Sequence, residues 1–257
     1  MKTQVEERFS EFYEKWIYQL EEHAQQLIRV PKAKLGEPED SELQALVSRV
    51  TSHYKEYYTV KWAGAHEDVL AFFCPVWLSP LESAYLWVTG WKPSMAFQVI
   101  DTLKKSVVPC ASMVDMSETQ VKKIEELRLK IRLEEEKVER EMERLQVAMA
   151  DRKMVELARL ASRVENGDVV GQVDGLVEVA LKGLLGGLEK VMKAADCVRL
   201  KTLKGVLEVL RPLQCVDFLA AICMLQIRRR QWGKIRESQK WGKLRDSQKE
   251  NTSAEIL

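Results

Sequence analysis

Three histidines, His23, His53 and His66, and five cysteines at 74, 110, 197, 215 and 223 are the residues from which a metal site or a reactive nucleophile would be built. Their spacing supplies neither. No two histidines stand at i, i+4, HExxH does not occur, and no CxxC pair or Cys/His cluster offers the ligand spacing that zinc needs. GxxxxGK[ST], GxGxxG and GxSxG are also missing, and the glycines of GLLGG at 183–187 lack both the spacing and the Lys-Ser pair of a phosphate loop. Carboxylates are abundant, but they lie in Glu/Lys-rich stretches of the kind that form solvated helix faces. No catalytic or metal-ligating residue is assigned, and an enzyme is not expected.

Two constellations rise above this background. One is aromatic: Phe9, Tyr13 and Trp16 at helical spacing, HYKEYY at 53–58, and PVWLSPLESAYLWVTGWKPS at 75–94. Aromatic side chains at this density either build a core or line a binding groove. Trp77, Pro80, Leu81, Trp87, Gly90 and Trp91 are read as core or as the turn that shapes it. Leu81, Tyr85 and Trp87 are expected to turn inward, and Gly90 to permit the backbone turn. Phe9, Tyr13 and Trp16 are the candidates for partner binding. The other constellation is basic: between Arg228 and Lys249, nine Lys and Arg face only Glu237 and Asp246, with Trp232 and Trp241 interleaved. Arg228, Arg229, Arg230, Lys234, Arg236, Lys240, Lys243 and Arg245 form the candidate patch. It suits phosphate backbones, an acidic membrane surface, or an acidic helix-gripping partner such as calmodulin, although no base-reading motif accompanies it.

The elements that must carry these residues are helical. Twelve Gly and seven Pro in 257 residues are too few for a barrel or sandwich, and a net charge of +1 excludes a globally basic coat. Apolar residues recur every three or four positions from Val5 to about Val30, and again from Leu43 to Tyr58 behind a capping-box pattern at Ser41 and Gln44. Pro80 suits a helix start and Gly90 a stop. Ser117 to about Arg163 reads as one long charged helix whose apolar stripe, Ile124, Leu127, Ile131, Val138, Met142 and Leu145, loses register at Glu134 and Glu135. A helix lying across a bundle and a two-stranded coiled coil both fit that stripe, and the slip favours the former. Glu125, Glu126, Lys130, Glu136, Lys137, Glu139, Arg140 and Glu143 should be solvated. Lys104–Met116 is the candidate linker and ENGD at 165–168 a second break. Val173–Leu210 reads as helix, and Pro212 opens the last one. WGKIRESQK at 232–240 is followed at once by WGKLRDSQK at 241–249, a local duplication too short to build a solenoid.

The prediction is an all-α chain, a single multi-helix bundle. Residues 1–103 form an aromatic-rich part, 117–233 a second part of the same domain, and 234–257 a flexible basic tail. The opening MKTQVEERFSEFYEKW lacks an export pattern, and the run Leu70 to Gly90 is interrupted by Pro75, Pro80 and Glu82, so neither secretion nor a membrane span is expected. The cysteines are then buried thiols of a reducing compartment, nucleus or cytosol.

Several of these segments carry a family resemblance. Phe9, Tyr13 and Trp16, SELQALVSRVTSHYKEYY, Lys61, the Asp68–Val69 pair, the block W-x-[ST]-P-L-E-x-x-x-L-W-x-x-G-W-x-P-S from Trp77 to Ser94, and AADCVRLKTLKGVLEVLRPLQCVDFLAA resemble the plant delay-of-germination (DOG) domain, which also forms the C-terminal half of the TGA bZIP transcription factors. The resemblance covers about Phe9 to Gly233. It implies an all-helical, non-enzymatic plant regulator of transcription or hormone-linked development, such as seed dormancy and germination under abscisic acid signalling. Its partners would be protein phosphatases or transcription factors. It also admits a developmental factor of the pollen-aperture type, or a direct sequence-specific DNA-binding regulator, although the bZIP half is lacking here. Some dormancy members are thought to hold haem through a histidine pair. The matching positions here are Gln226 and Arg230, so no cofactor is expected. A monomer or weak homodimer is the expected assembly.

Overall fold

The computed structural model describes residues 2–31, 40–105, 111–164 and 170–254. Among them the regular structure is helical throughout, apart from an isolated bridge between Trp87 and Gly90. The fold is all-α, as the periodicity predicts. Helix α1 (Gln4–Ile28) starts behind a Thr3/Glu6 capping box and buries Val5, Phe9, Tyr13, Trp16, Leu20, Ala24 and Leu27 along one face. Helix α2 (Asp40–Glu67) packs beside it with Leu43, Leu46, Val50, Tyr54 and Tyr58 inward. Two short helices, α3 (Leu70–Phe73) and α4 (Pro80–Ala84), bracket the start of the tryptophan block, and α5 (Met95–Lys105) follows it. After the brief α6 (Ala111–Val114) come α7 (Glu118–Ala148), α8 (Arg152–Val164), α9 (Val170–Val209) and α10 (Pro212–Ala254).

The core runs unbroken from Val5 to Ile227, so the first and last helices close one body: α10 lies against α1, α2, α4, α5 and α6. Beside it, α7 and α9 run antiparallel. Leu145 packs where Gly187 leaves room and Leu127 where Gly205 does, so numbers rise along one helix as they fall along the other. Ile124, Ile131, Val138 and Leu145, each seven residues from the next, are the buried seam of α7. The apolar stripe therefore has its partner within the same chain. Glu135, which interrupts it, is itself buried, and its carboxylate accepts the Ser94 backbone N–H at 2.6 Å just ahead of α5. Burial raises its pKa.

Several expectations are corrected. The charged helix does not run to Arg163. It breaks at 149–151, where the Asp151 carboxylate accepts the Met154 N–H at 3.0 Å and restarts the chain as α8. The Lys104–Met116 segment is no simple linker: Lys104 and Lys105 end α5, and Met113 of α6 is fully buried, while 106–110 lie outside the described residues. The break at 165–168 and Cys110 also lie outside them. Cys215 and Cys223 are buried thiols, but Cys74 and Cys197 are exposed. Tyr85 points outward because α4 stops at Ala84, before a second turn could carry it in. Glu139 is engaged rather than merely solvated, accepting from Trp87 Nε1 and Lys92 Nζ, each at 2.8 Å. The backbone of the basic tail is helix as far as Ala254.

Candidate functional site

The tryptophan block is built around a tight hairpin. Ser79 caps α4, with Pro80 in the first turn and Glu82 returning the capping bond. Beyond it, Trp87 N–H donates to Gly90 O at 2.7 Å and Gly90 N–H to Trp87 O at 3.2 Å, which leaves Val88 and Thr89 as the two turn residues. Their φ values are 39° and 61°, the left-handed region of primed hairpin turns. Asn and Gly usually occupy such positions; for β-branched residues the geometry is costly, of order 1–3 kcal/mol each. The sequence assigned the turn to Gly90, but Val88 and Thr89 make it. Gly90 is needed for space, since a Cβ there would meet the Arg199 guanidinium at 2.7 Å.

The strain is held from below by three ionic side chains that are at most 1% exposed. Lys61 Nζ donates to Thr89 O at 3.2 Å, to Thr89 Oγ1 at 2.9 Å and to Asp196 Oδ1 at 2.9 Å. Arg199 donates to Trp91 O at 2.7 Å and Val88 O at 2.8 Å, and also reaches Trp87 O. Asp196 joins the two cations, 2.5 Å from Arg199, and takes Trp62 Nε1–H at 3.0 Å. Burial pushes the Lys61 ammonium down to about 8, against the opposing pull of Asp196. The Trp87 ring lies over Arg199 at 5.3 Å, and Trp91 Nε1 donates to Tyr58 Oη at 3.1 Å. Trp77 is buried and Trp87 and Trp91 are half-buried against the core, whereas Leu81 is only partly covered and Pro80 is exposed.

Phe9, Tyr13 and Trp16 are not a partner surface. They are 3%, 4% and 1% exposed, because the face of α1 that carries them is closed by α2 and α10. Phe9 packs on Trp77 at 4.6 Å and Phe72 at 4.8 Å, and Trp16 stacks on His53 at 4.7 Å. Burial raises the Tyr13 pKa strongly.

The basic patch divides. Arg230 is 4% exposed and turned inward, with its guanidinium on Trp77 O at 3.1 Å, Glu82 at 3.5 Å and Glu14, over the Tyr13 ring. It closes the Ser79/Glu82 cap and does not belong to the surface. Lys234 shares Glu14 at 3.6 Å. Arg228 and Arg236 are exposed, Arg229 is half-buried, and Trp232 and Ile235 lie open beside them. Lys240, Lys243 and Arg245 lie on the same helix, with side chains outside those described. Gln226 Oε1 accepts from Tyr54 Oη at 3.4 Å.

Asp196 and Arg199 escaped the sequence reading as ionic partners. The signal was there: an acid and a base at i, i+3 within AADCVRL, where Ala195 and Val198 are core residues. Among the described residues, no three His, Cys, Asp or Glu stand close enough to hold a metal, and no helix is long and apolar enough to cross a membrane.

A chain so organised has close relatives. Residues 19–102 match the DOG1 family model, described as seed dormancy control. Protein DOG1-like 4 of Arabidopsis thaliana is 54% identical over 92% of this chain and 96% of its own length. This chain belongs to the DOG1 family. Protein RESPONSE TO ABA AND SALT 1 of Arabidopsis thaliana is 32% identical over 74% of this chain and 78% of its own length. Transcription factor TGA6 of the same plant is 31% identical over 79% of this chain but only 57% of its own length. Thus the DOG1-family part seen here is shared between stand-alone proteins and transcription factors, and the relatives bear regulatory names.

Proposed function

We propose that this DOG1-family chain is a non-enzymatic regulatory module that acts through protein partners in transcription or hormone-linked control of seed dormancy and germination, in the nucleus or cytosol. The observation that carries this reading is the inward use of its chemistry. The strongest ionic cluster, Lys61–Asp196–Arg199, has no exposure through which a substrate could reach it: Lys61 and Arg199 are committed to the hairpin, and Asp196 to those two cations and Trp62. The names of DOG1-like 4 and of RESPONSE TO ABA AND SALT 1 support dormancy and abscisic acid as the setting, and TGA6 supports transcription. The candidate partners are protein phosphatases or transcription factors. Haem does not fit the residues present: Gln226 and Arg230 offer no imidazole, and Arg230 is bound to Glu14 and Glu82.

Loss of the chain should shift germination under abscisic acid and the transcripts that follow it. Null seed with wild-type germination, hormone response and transcript profile would overturn the proposal. Direct DNA binding is the second reading, favoured by exposed Arg228 and Arg236. Backbone contacts would make affinity fall with salt at a slope of about −0.9 per neutralised phosphate. Labelled duplex titrated at low and physiological salt should show no complex if the module works through proteins, and a salt-steep complex if it binds DNA itself.

A further inference from the structure

We infer that the distal half of α10 is a docking helix for an acidic, two-lobed protein of the calcium-loaded, helix-gripping kind. This goes beyond the regulatory assignment and stands independently of it. Gly233 presses on Ser79 and Leu81, so the body covers that side of α10, while Trp232 and Ile235 face outward and are 55% and 52% exposed. Arg228 and Arg236 are exposed on the same stretch, and the helical backbone continues to Ala254.

The duplication then decides the geometry of the partner. Its two copies are offset by nine residues. At 3.6 residues per turn that is two and a half turns, or about 180°. Trp232 and Ile235 therefore occupy one face of the rod, and the positions of Trp241 and Leu244 the opposite one. A helix lying on a bilayer needs its apolar residues on a single face, which this register forbids. A partner that closes on a helix from two sides needs anchors on both. Lys and Arg outnumber the acids nine to two from Arg228 to Lys249, which selects an acidic partner. Even without Arg230, which is bound inside the body, the excess remains large.

The test uses the full chain and dye-labelled calmodulin as probe, with melting curves to show that each variant keeps its fold. The expected result is a one-to-one complex in calcium that is lost in chelator. Trp232→Ala and Trp241→Ala should each weaken it by about tenfold or more. Inserting two alanines after Lys240 rotates the second copy by about 200°. Both tryptophan positions then share one face, and that variant should lose calmodulin while gaining affinity for anionic phosphatidylserine vesicles. The inference is overturned by absence of a complex in calcium, by binding equal in chelator, or by an affinity that the insertion leaves unchanged. Tight binding of the unmodified chain to those vesicles or to duplex DNA in preference to calmodulin would equally overturn it.

Discussion

Asp196 is the single carboxylate between two buried cations, and that asymmetry makes its removal costly. Asp196→Asn keeps the shape but leaves Lys61 and Arg199 facing each other with no counter-charge. Breaking a buried ion pair in this way costs about 3–5 kcal/mol. Urea unfolding should show that loss, and a midpoint near the wild-type value would mean that the cations relax to solvent. His53 gives a pH-dependent counterpart. Its neutral ring stacks on Trp16, and its Nε2–H donates to Trp16 O at 3.0 Å, while burial pushes its pKa down to about 4. The unfolded chain takes up this proton near pH 6.5, well before the native chain does. The contribution of His53 is therefore complete above about pH 6.5 and is lost as pH falls toward 4, by about 3 kcal/mol. Thermal melts between pH 7 and 4 should show that slope, and His53→Phe should flatten it. Little of this was legible in the sequence. A lone histidine and an Asp-x-x-Arg pair look alike on a solvated face and in a core; only the apolar residues beside Asp196 marked the difference.

The helices were read well where packing follows periodicity. The α1 face and the seven-residue seam of α7 are repeats that burial enforces, so the sequence shows them directly. Where the outcome depended on one polar side chain, the reading failed. Glu135 looked like a flaw in the stripe and is an internal acceptor for Ser94; the stretch to Arg163 read as one charged helix, and Asp151 within it restarts the chain as α8. The same elements predict uneven local stability. Among the described residues from 146 to 190 none is buried, and Val147, Met149, Val155, Leu160, Leu176 and Val179 are exposed, so the α8 end of the α7–α9 arm rests on thin apolar contact. Amide exchange tracks such local openings. The amides of α8 should exchange far faster than those between Ile124 and Val138 of α7. Equal protection along both would mean that another chain covers the arm.

Assembly follows from where the long seam finds its partner. Ile131 is 1% exposed in the seam packed on α9, so the apolar stripe that a two-stranded coiled coil would use is already satisfied within one chain. The same body closes the aromatic face of α1 with α10, while the outward parts of α10 and the end of the arm are among the described surfaces that stay open to other molecules. In light scattering at micromolar concentration the chain should give the mass of one copy, 29.6 kDa, or a weak dimer that dilution dissociates. Ile131→Glu buries a carboxylate with no counter-charge in an apolar seam, and it should lower stability by several kcal/mol, about the scale of a whole small domain's margin. Loss of cooperative unfolding in that variant is the expected signature of an intramolecular seam. A stable wild-type dimer that Ile131→Glu converts to a folded monomer would place a second chain on the stripe instead, because only an interface between chains can lose that contact and leave each chain's own core intact.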